Sequence, residues 1–212
     1  MNIQKPRVKD KKARIKDIQD AAKKLFISNG FQNTSVELIS KQAGISKGTV
    51  YLYFKNKEDL YLSLMTPVAT EFEKKLKKFE EEIDKGQKNG KEIIAGICDV
   101  HYKLYRSDPD GVRIIQAFLQ GDFLRGMPAE TADKFNKIAK DNFAVTRRIL
   151  SKALKAGLIK RVNIFQISDI IFALFLGVVE VEENKKRITQ KDHLRKTLES
   201  SFALIADALC TA

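Results

Sequence analysis

Residue types that support enzyme chemistry are scarce in this sequence of 212 residues, which has no tryptophan, two cysteines and two histidines. Cys98 and Cys210 lie far apart and match no metal-ligand spacing, so we expect two reduced thiols and no metal site. His101 and His193 leave little for acid–base chemistry, and no glycine-rich phosphate loop or nucleophile–base pair is evident. We therefore predict that the protein is not an enzyme, has no catalytic residue and carries no cofactor.

Long apolar runs are also scarce. The longest uncharged one, residues 170–179, is about half of the roughly 20 residues that span a bilayer. The chain is charged from Lys5 onward, without the apolar segment of a signal peptide. We expect no membrane span and no export, and hence a cytoplasmic protein.

Four prolines and 11 glycines occur, mostly between segments in which apolar residues recur at helical spacing. No hairpin turn joins alternating strands. The pattern predicts an all-α fold of about nine helices, with a basic arm at residues 1–12 and short helices up to residue 55. Longer helices are predicted at about 57–84, 91–106, 109–124, 131–156, 164–184 and 190–210.

Positive charge is abundant and unevenly distributed. The net charge is +12, and residues 1–60 hold 13 lysines and arginines against 6 acidic residues. A local basic excess is typical of a surface that binds a polyanion, either nucleic acid or an acidic membrane.

Residues 35–54 have the spacing of a helix-turn-helix, in which two short helices meet at a steep angle. Gly44 suits the turn between them. The second helix would present its first polar residues outward, where a recognition helix meets the major groove: Ser46, Lys47, Gly48, Thr49 and Tyr51. The simpler alternative is an ordinary pair of short helices with a polar exterior.

The stretch TSVELISKQAGISKGTVYLYFKNKEDLYLSL, residues 34–64, resembles the N-terminal signature of the TetR/AcrR family of transcriptional regulators. The resemblance extends back to about Ile15 and implies two domains, a DNA-binding domain at 1–55 and an effector-binding and dimerisation domain at 56–212. Base or phosphate contacts are implied for Thr34, Ser35, Ser46, Lys47, Gly48, Thr49, Tyr51, Tyr53 and Lys57. The sequence departs from the family at Tyr53, where histidine is frequent, and at Ser40, where alanine is frequent.

A homodimer through residues 164–184 and 190–210, bound to a palindromic DNA operator, is also implied by the resemblance. The residues support it, because the segment 164–181 is apolar nearly all round and such a helix needs burial on more than one side. We expect Phe175 and Phe202 to lie in the interface. The alternative is that both helices are internal core.

A small, mostly apolar effector that releases the DNA is implied in the same way. The candidate lining of its pocket comprises Met65, Ile97, His101, Phe118, Phe123, Asn142, Phe143 and Phe172. Two interpretations of His101 and Asn142 stay open: they orient a ligand, or they are core residues with satisfied hydrogen bonds. The predicted function is a ligand-responsive repressor; the alternative is a basic helical protein that binds nucleic acid or a membrane surface without ligand control.

Overall fold

The computed structural model describes residues 8–86, 88–120 and 127–211. Its helices are α1 (Val8–Asn29), α2 (Val36–Gln42), α3 (Lys47–Tyr51), α4 (Lys57–Lys85), α5 (Gly90–Ser107), α6 (Pro109–Gln120), α7 (Ala129–Lys155), α8 (Ile164–Thr189) and α9 (Leu194–Leu209). Within these ranges the only β-structure is an isolated bridge between Ile159 and Cys210. The predicted all-α fold with an N-terminal helix-turn-helix is confirmed.

Three helix bounds within the described residues differ from the predicted ones by more than two residues. Helix α1 begins at Val8, so part of the segment predicted as an arm is helical, while residues 1–7 lie outside the described residues. Helix α8 runs five residues past its predicted end, because residues 185–189 contain no glycine or proline, and Gln190 closes the helix with φ 59°. Helix α9 accordingly begins at Leu194.

The chain divides into two compact units. The first comprises Met1–Val68 and Asp110–Asn136, and the second comprises Ala69–Pro109 and Lys137–Ala212. Helices α4 and α7 therefore contribute residues to both. The predicted boundary at residue 55 concerns which residues bind DNA, and it stays a prediction.

Aromatic side chains form a cluster within the core of the first unit. The ring of Tyr61 lies 4.9 Å from that of Phe26 and 5.5 Å from that of Phe31, measured between centroids. Its hydroxyl donates a hydrogen bond of 2.7 Å to the carbonyl of Ile114 on α6. Phe118 of α6 belongs to the same cluster. The helix-turn-helix thus shares its core with α4 and α6.

The second unit is built around α5, which packs against α9, and α9 in turn packs against α8. His101 of α5 is enclosed by three phenyl rings, and its Nδ1–H donates a 2.8 Å hydrogen bond to the Ile97 carbonyl. The ring centroids lie at 4.7 Å from Phe72, 4.8 Å from Phe175 and 5.9 Å from Phe202. Burial lowers the pKa of His101 to about 4.

This packing corrects the prediction that Phe175 and Phe202 lie in a subunit interface. Both side chains are buried against His101 within their own chain. The error concerns the rotation of α8 and α9 about their axes, because a helix that is apolar nearly all round does not reveal which face turns inward.

Helix α8 is the one helix among the described residues that is long and apolar enough to cross a membrane by length and composition alone. Only 28% of its apolar 18-residue stretch is buried within the chain. The exposed side includes Phe165, Ile170 and Val181.

Candidate nucleic-acid interface

The first helix of the motif is fixed by its N-cap. The Ser35 hydroxyl accepts a hydrogen bond of 3.1 Å from the Leu38 amide, which supplies a partner to one of the free donors at the start of α2. Val36 and Ile39 turn into the core of the first unit. The Ser35 side chain itself is exposed.

The turn and the second helix follow from two further local features. Gly44 adopts φ +66°, a conformation that is costly for residues with a side chain, and the chain then closes with a 3.0 Å bond from the Ile45 amide to the Ser40 carbonyl. Ser46 caps α3 by accepting from the Thr49 amide at 3.1 Å, and the two hydroxyls lie 2.8 Å apart. Val50 anchors the helix in the core.

Most positions predicted to contact DNA are accessible. Five are exposed, namely Ser35, Ser46, Lys47, Gly48 and Tyr51. Three are partly buried, namely Thr49, Tyr53 and Lys57. All eight lie in the first unit: Ser35 and Ser46 are the N-caps of α2 and α3, Tyr53 lies between α3 and α4, and the others are on α3 or at the start of α4. Their roles toward DNA stay predictions.

Thr34 is the exception. Its side chain is fully buried, and its hydroxyl bonds to the carbonyls of Gly30 at 2.7 Å and Leu25 at 3.2 Å. Thr34 therefore ties the turn after α1 to the last turns of that helix. A side-chain contact with DNA does not fit this geometry, so we remove Thr34 from the predicted set.

Lys57 ties the start of α4 to the turn after α1. Its Nζ donates a 2.8 Å hydrogen bond to the Phe31 carbonyl and lies 3.9 Å from the centroid of the Phe31 ring. Burial lowers its pKa, against the opposing effect of Glu58. The ammonium group thus has a partner within the protein, and the phosphate contact that the family resemblance implies stays a prediction.

A second tie joins α1 to α4 around a proline. Pro67 lies inside α4 and has no amide hydrogen, so the carbonyl of Ser63 loses its usual helical donor. The side-chain amide of Gln19 donates to that carbonyl at 3.3 Å and to the Ser63 hydroxyl at 3.0 Å. The polar group that the proline leaves open is therefore satisfied from α1.

An ionic cluster joins α7 to the start of α4 within the first unit. The Lys55 Nζ lies 3.0 Å from both carboxylate oxygens of Glu130. Lys134 approaches Glu130 at 3.0 Å and Asp59 at 3.9 Å. These groups are exposed, so solvent screens the attraction and the cluster contributes little stability.

Sequence reasoning overlooked two residues of this unit. Gln19 was not singled out. A proline inside a helical pattern does indicate that the carbonyl four residues earlier lacks its helical donor and needs another partner. Leu52 was not singled out either, although an apolar residue directly after the recognition helix departs from its polar exterior. Its side chain is 81% exposed.

The predicted effector residues do not form one described group. Met65 and Phe118 are buried in the core of the first unit, and Phe123 lies outside the described residues. The others belong to the second unit: Ile97, His101, Asn142, Phe143 and Phe172. Of these, Phe143 and Phe172 stack edge to face at 5.3 Å between centroids. Ile97 and His101 are core residues in this structure, and their role toward an effector stays a prediction.

Asn142 is the polar group in this set with spare capacity. Its amide Nδ2 donates a 2.9 Å bond to the Ile138 carbonyl one turn earlier. Its Oδ1 is buried and has no hydrogen-bond partner. Because buried acceptors in proteins are nearly always bonded, this oxygen is suited to a donor group of a ligand.

Two short capped helices joined by a left-handed glycine turn, on a basic segment with polar exposed residues, define a helix-turn-helix DNA-binding protein. Comparison with known proteins agrees. Residues 18–64 match the family model described as bacterial regulatory proteins, tetR family. The fatty acid metabolism regulator protein of Bacillus subtilis (strain 168) is 33% identical over 153 residues, which are 72% of this chain and 74% of that protein. The chain belongs to the TetR family of transcriptional regulators.

Solved structures resemble the fold over nearly the whole chain. The regulator FadR from Bacillus subtilis, crystallised with stearoyl-CoA, has a TM-score of 0.67 and 28% identity, covering 90% of this chain and 96% of its own. The fatty acid degradation regulator FadR from Bacillus halodurans has a TM-score of 0.68 and 22% identity, covering 96% and 97%. The second likeness shows the fold alone.

Proposed function

We propose that the protein is a homodimeric repressor that binds a palindromic operator and is released by a long-chain acyl-CoA. The observation that carries the DNA-binding part is the geometry of residues 35–52: two capped helices with Ser46, Lys47 and Gly48 exposed. The N-terminal residues of such a second helix are the ones that reach base edges in a major groove.

The proposed dimer is supported by apolar surface on the last two helices. Ile170 and Val181 of α8 and Leu204 of α9 are each at least half exposed. Ala173 and Gly177 lie between the two α8 residues at helical spacing and are exposed as well. Exposure of an apolar stripe of this kind to water is unfavourable, and contact with the same stripe of a second subunit in a two-fold dimer is the commonest way to bury it.

Two observations support the acyl-CoA. A relative of 33% identity is named as a fatty acid metabolism regulator, and a neighbour of 28% identity was crystallised with stearoyl-CoA. In this chain the second unit provides the phenyl pair of Phe143 and Phe172, suited to an acyl chain, and the unpaired oxygen of Asn142, suited to an amide N–H.

Release of DNA is proposed to pass along α4. This helix begins in the first unit, where Lys57 binds the turn after α1, and it ends in the second. A ligand that shifts the second half of α4 can change the spacing of the two reading heads, which must match one turn of DNA, about 34–36 Å.

The test is reciprocal titration. Operator duplexes are first selected from a random pool, and stearoyl-CoA is then titrated into the protein with and without the operator, with free CoA as the control ligand. A tenfold release of DNA requires a coupling of about 1.4 kcal/mol, and the operator must weaken acyl-CoA binding by the same factor. Equal affinity with and without the operator would show that stearoyl-CoA is not an inducer, and binding to all duplexes alike would favour the basic surface-binding alternative.

A further inference from the structure

Leu52 lies on the exposed side of the recognition helix. It is the C-cap of α3 with helical backbone angles, φ −69° and ψ −22°, and its amide donates to the carbonyl of Gly48 at 3.2 Å. It therefore follows Gly48 by one helical turn on the same side. Val50 and Phe54, two residues away on either side, are buried, whereas the Leu52 side chain is 81% exposed.

Gly48 has no role in the packing of the free protein. A Cβ built on it would meet only the Ser46 hydroxyl oxygen, at 3.8 Å, which is an ordinary contact. Its φ is not positive, so its backbone does not require glycine. Glycine inside a helix weakens that helix relative to alanine. The protein thus keeps an open notch at Gly48 that its own fold does not use.

The open position at Gly48, followed one helical turn later by the apolar Leu52 side chain, suits contact with an apolar group in the major groove of DNA. On the major-groove edges of DNA the hydrogen-bonding groups are polar, and the C5-methyl group of thymine is the apolar feature. Removal of the side chain at Gly48 lets the backbone approach the bases closely enough for Leu52 to reach such a methyl group. Lys47 and Thr49, which flank the notch, are suited to polar base edges or phosphates instead.

We propose that Leu52 reads the methyl group of one thymine in each operator half-site. This inference rests on the proposed operator binding and deepens it by assigning a base to one residue. Contact with sugar carbons would instead make Leu52 a sequence-independent contributor, and the experiment below separates the two cases.

The experiment replaces thymine by uracil, which removes only the methyl group. With the selected operator in hand, each thymine of both half-sites is replaced in turn, and Kd is measured for the full-length wild-type protein. We expect replacement of one symmetric pair of thymines by uracil to lower the affinity by about fourfold per half-site. This factor corresponds to ~0.8 kcal/mol, the value for a group of methyl size. The change in both half-sites together then amounts to roughly 15-fold.

Three variants complete the cycle. Leu52→Ala should abolish the difference between thymine and uracil at that position, and Leu52→Met should keep most of it because the apolar contact remains. Leu119→Ala, which truncates a half-exposed leucine on α6, should leave the difference unchanged. Thermal unfolding of Leu52→Ala should match the wild type, since the side chain is exposed.

Two results would overturn the proposal. One is an operator in which no thymine shows a uracil effect; the other is an effect that persists in Leu52→Ala. Either result leaves specific operator binding intact, whereas a failure to select any preferred duplex would refute the proposed function itself.

Discussion

Replacement of Pro67 by alanine should stabilise this protein. Pro67 is exposed, so the change leaves no cavity, and an alanine amide would restore the α4 hydrogen bond to the Ser63 carbonyl. Proline inside a helix costs ~3 kcal/mol relative to alanine. Two effects reduce the gain: proline restricts the unfolded chain by ~0.4–1 kcal/mol, and Gln19 already supplies a bond worth ~1 kcal/mol.

The net expectation for Pro67→Ala is ~1–2 kcal/mol of added stability. For a chain of this length that corresponds to a rise in Tm of roughly 2–8 °C, measured by circular dichroism. A Tm equal to or below that of the wild type would show that Pro67 does not destabilise α4.

Gln19 provides the sharper form of this test. Gln19→Leu in the wild-type background should cost about 1 kcal/mol, because the partly buried Ser63 carbonyl loses its donor. In the Pro67→Ala background the same change should cost close to nothing, because the restored amide serves that carbonyl. Equal costs in both backgrounds would refute the linkage between Gln19 and Pro67.

Three further predictions concern other parts of the molecule. Because the pKa of His101 is depressed to about 4 from its usual 6.5, its contribution to stability is present above pH 6.5 and is lost as pH falls toward 4. The free energy of unfolding of the wild type should therefore be about 2 kcal/mol lower at pH 5 than at pH 7, beyond any decrease that His101→Leu shows over the same range. Leu204→Asp should convert a dimer to a monomer in sedimentation with folding intact, and a wild type that sediments as a monomer at micromolar concentration would end that idea. Lys57→Ala should weaken all duplexes with a shallower salt dependence, whereas Lys47→Ala should lower preference for the operator by ~1–3 kcal/mol; the opposite pattern would reverse their roles.

Local features of the fold could be predicted from sequence because they depend on neighbours within a few residues. Gly44 at the turn and Ser46 at the cap both occupy their expected places. Contacts across the chain could not be predicted in this way. Gln19 and Ser63 are 44 residues apart, and no periodic pattern indicates that their side chains meet.

The prediction was weakest in deciding which side chains of a segment face the core of their own chain and which face outward. Phe175 and Phe202 were expected at an interface, yet both enclose His101. Thr34 was expected at DNA because the resemblance supplies a position and not an exposure, and its hydroxyl serves the end of α1 instead. Burial depends on which neighbouring helix covers each face, and the sequence does not state that.

The make-up of the first unit has a consequence for engineering chimeric regulators. Its core combines Tyr61 of α4 with Ile114 and Phe118 of α6, so the reading head is not a continuous N-terminal module. A crossover at residue 55 that joins this N-terminal segment to a foreign effector domain would replace half of the aromatic cluster with unselected partners. Transplants should instead exchange residues 69–109 and 137–212 together and keep residues 110–136 with the segment they pack against. Recombination between relatives would be subject to the same restriction, because a single cut in the gene cannot separate the two units.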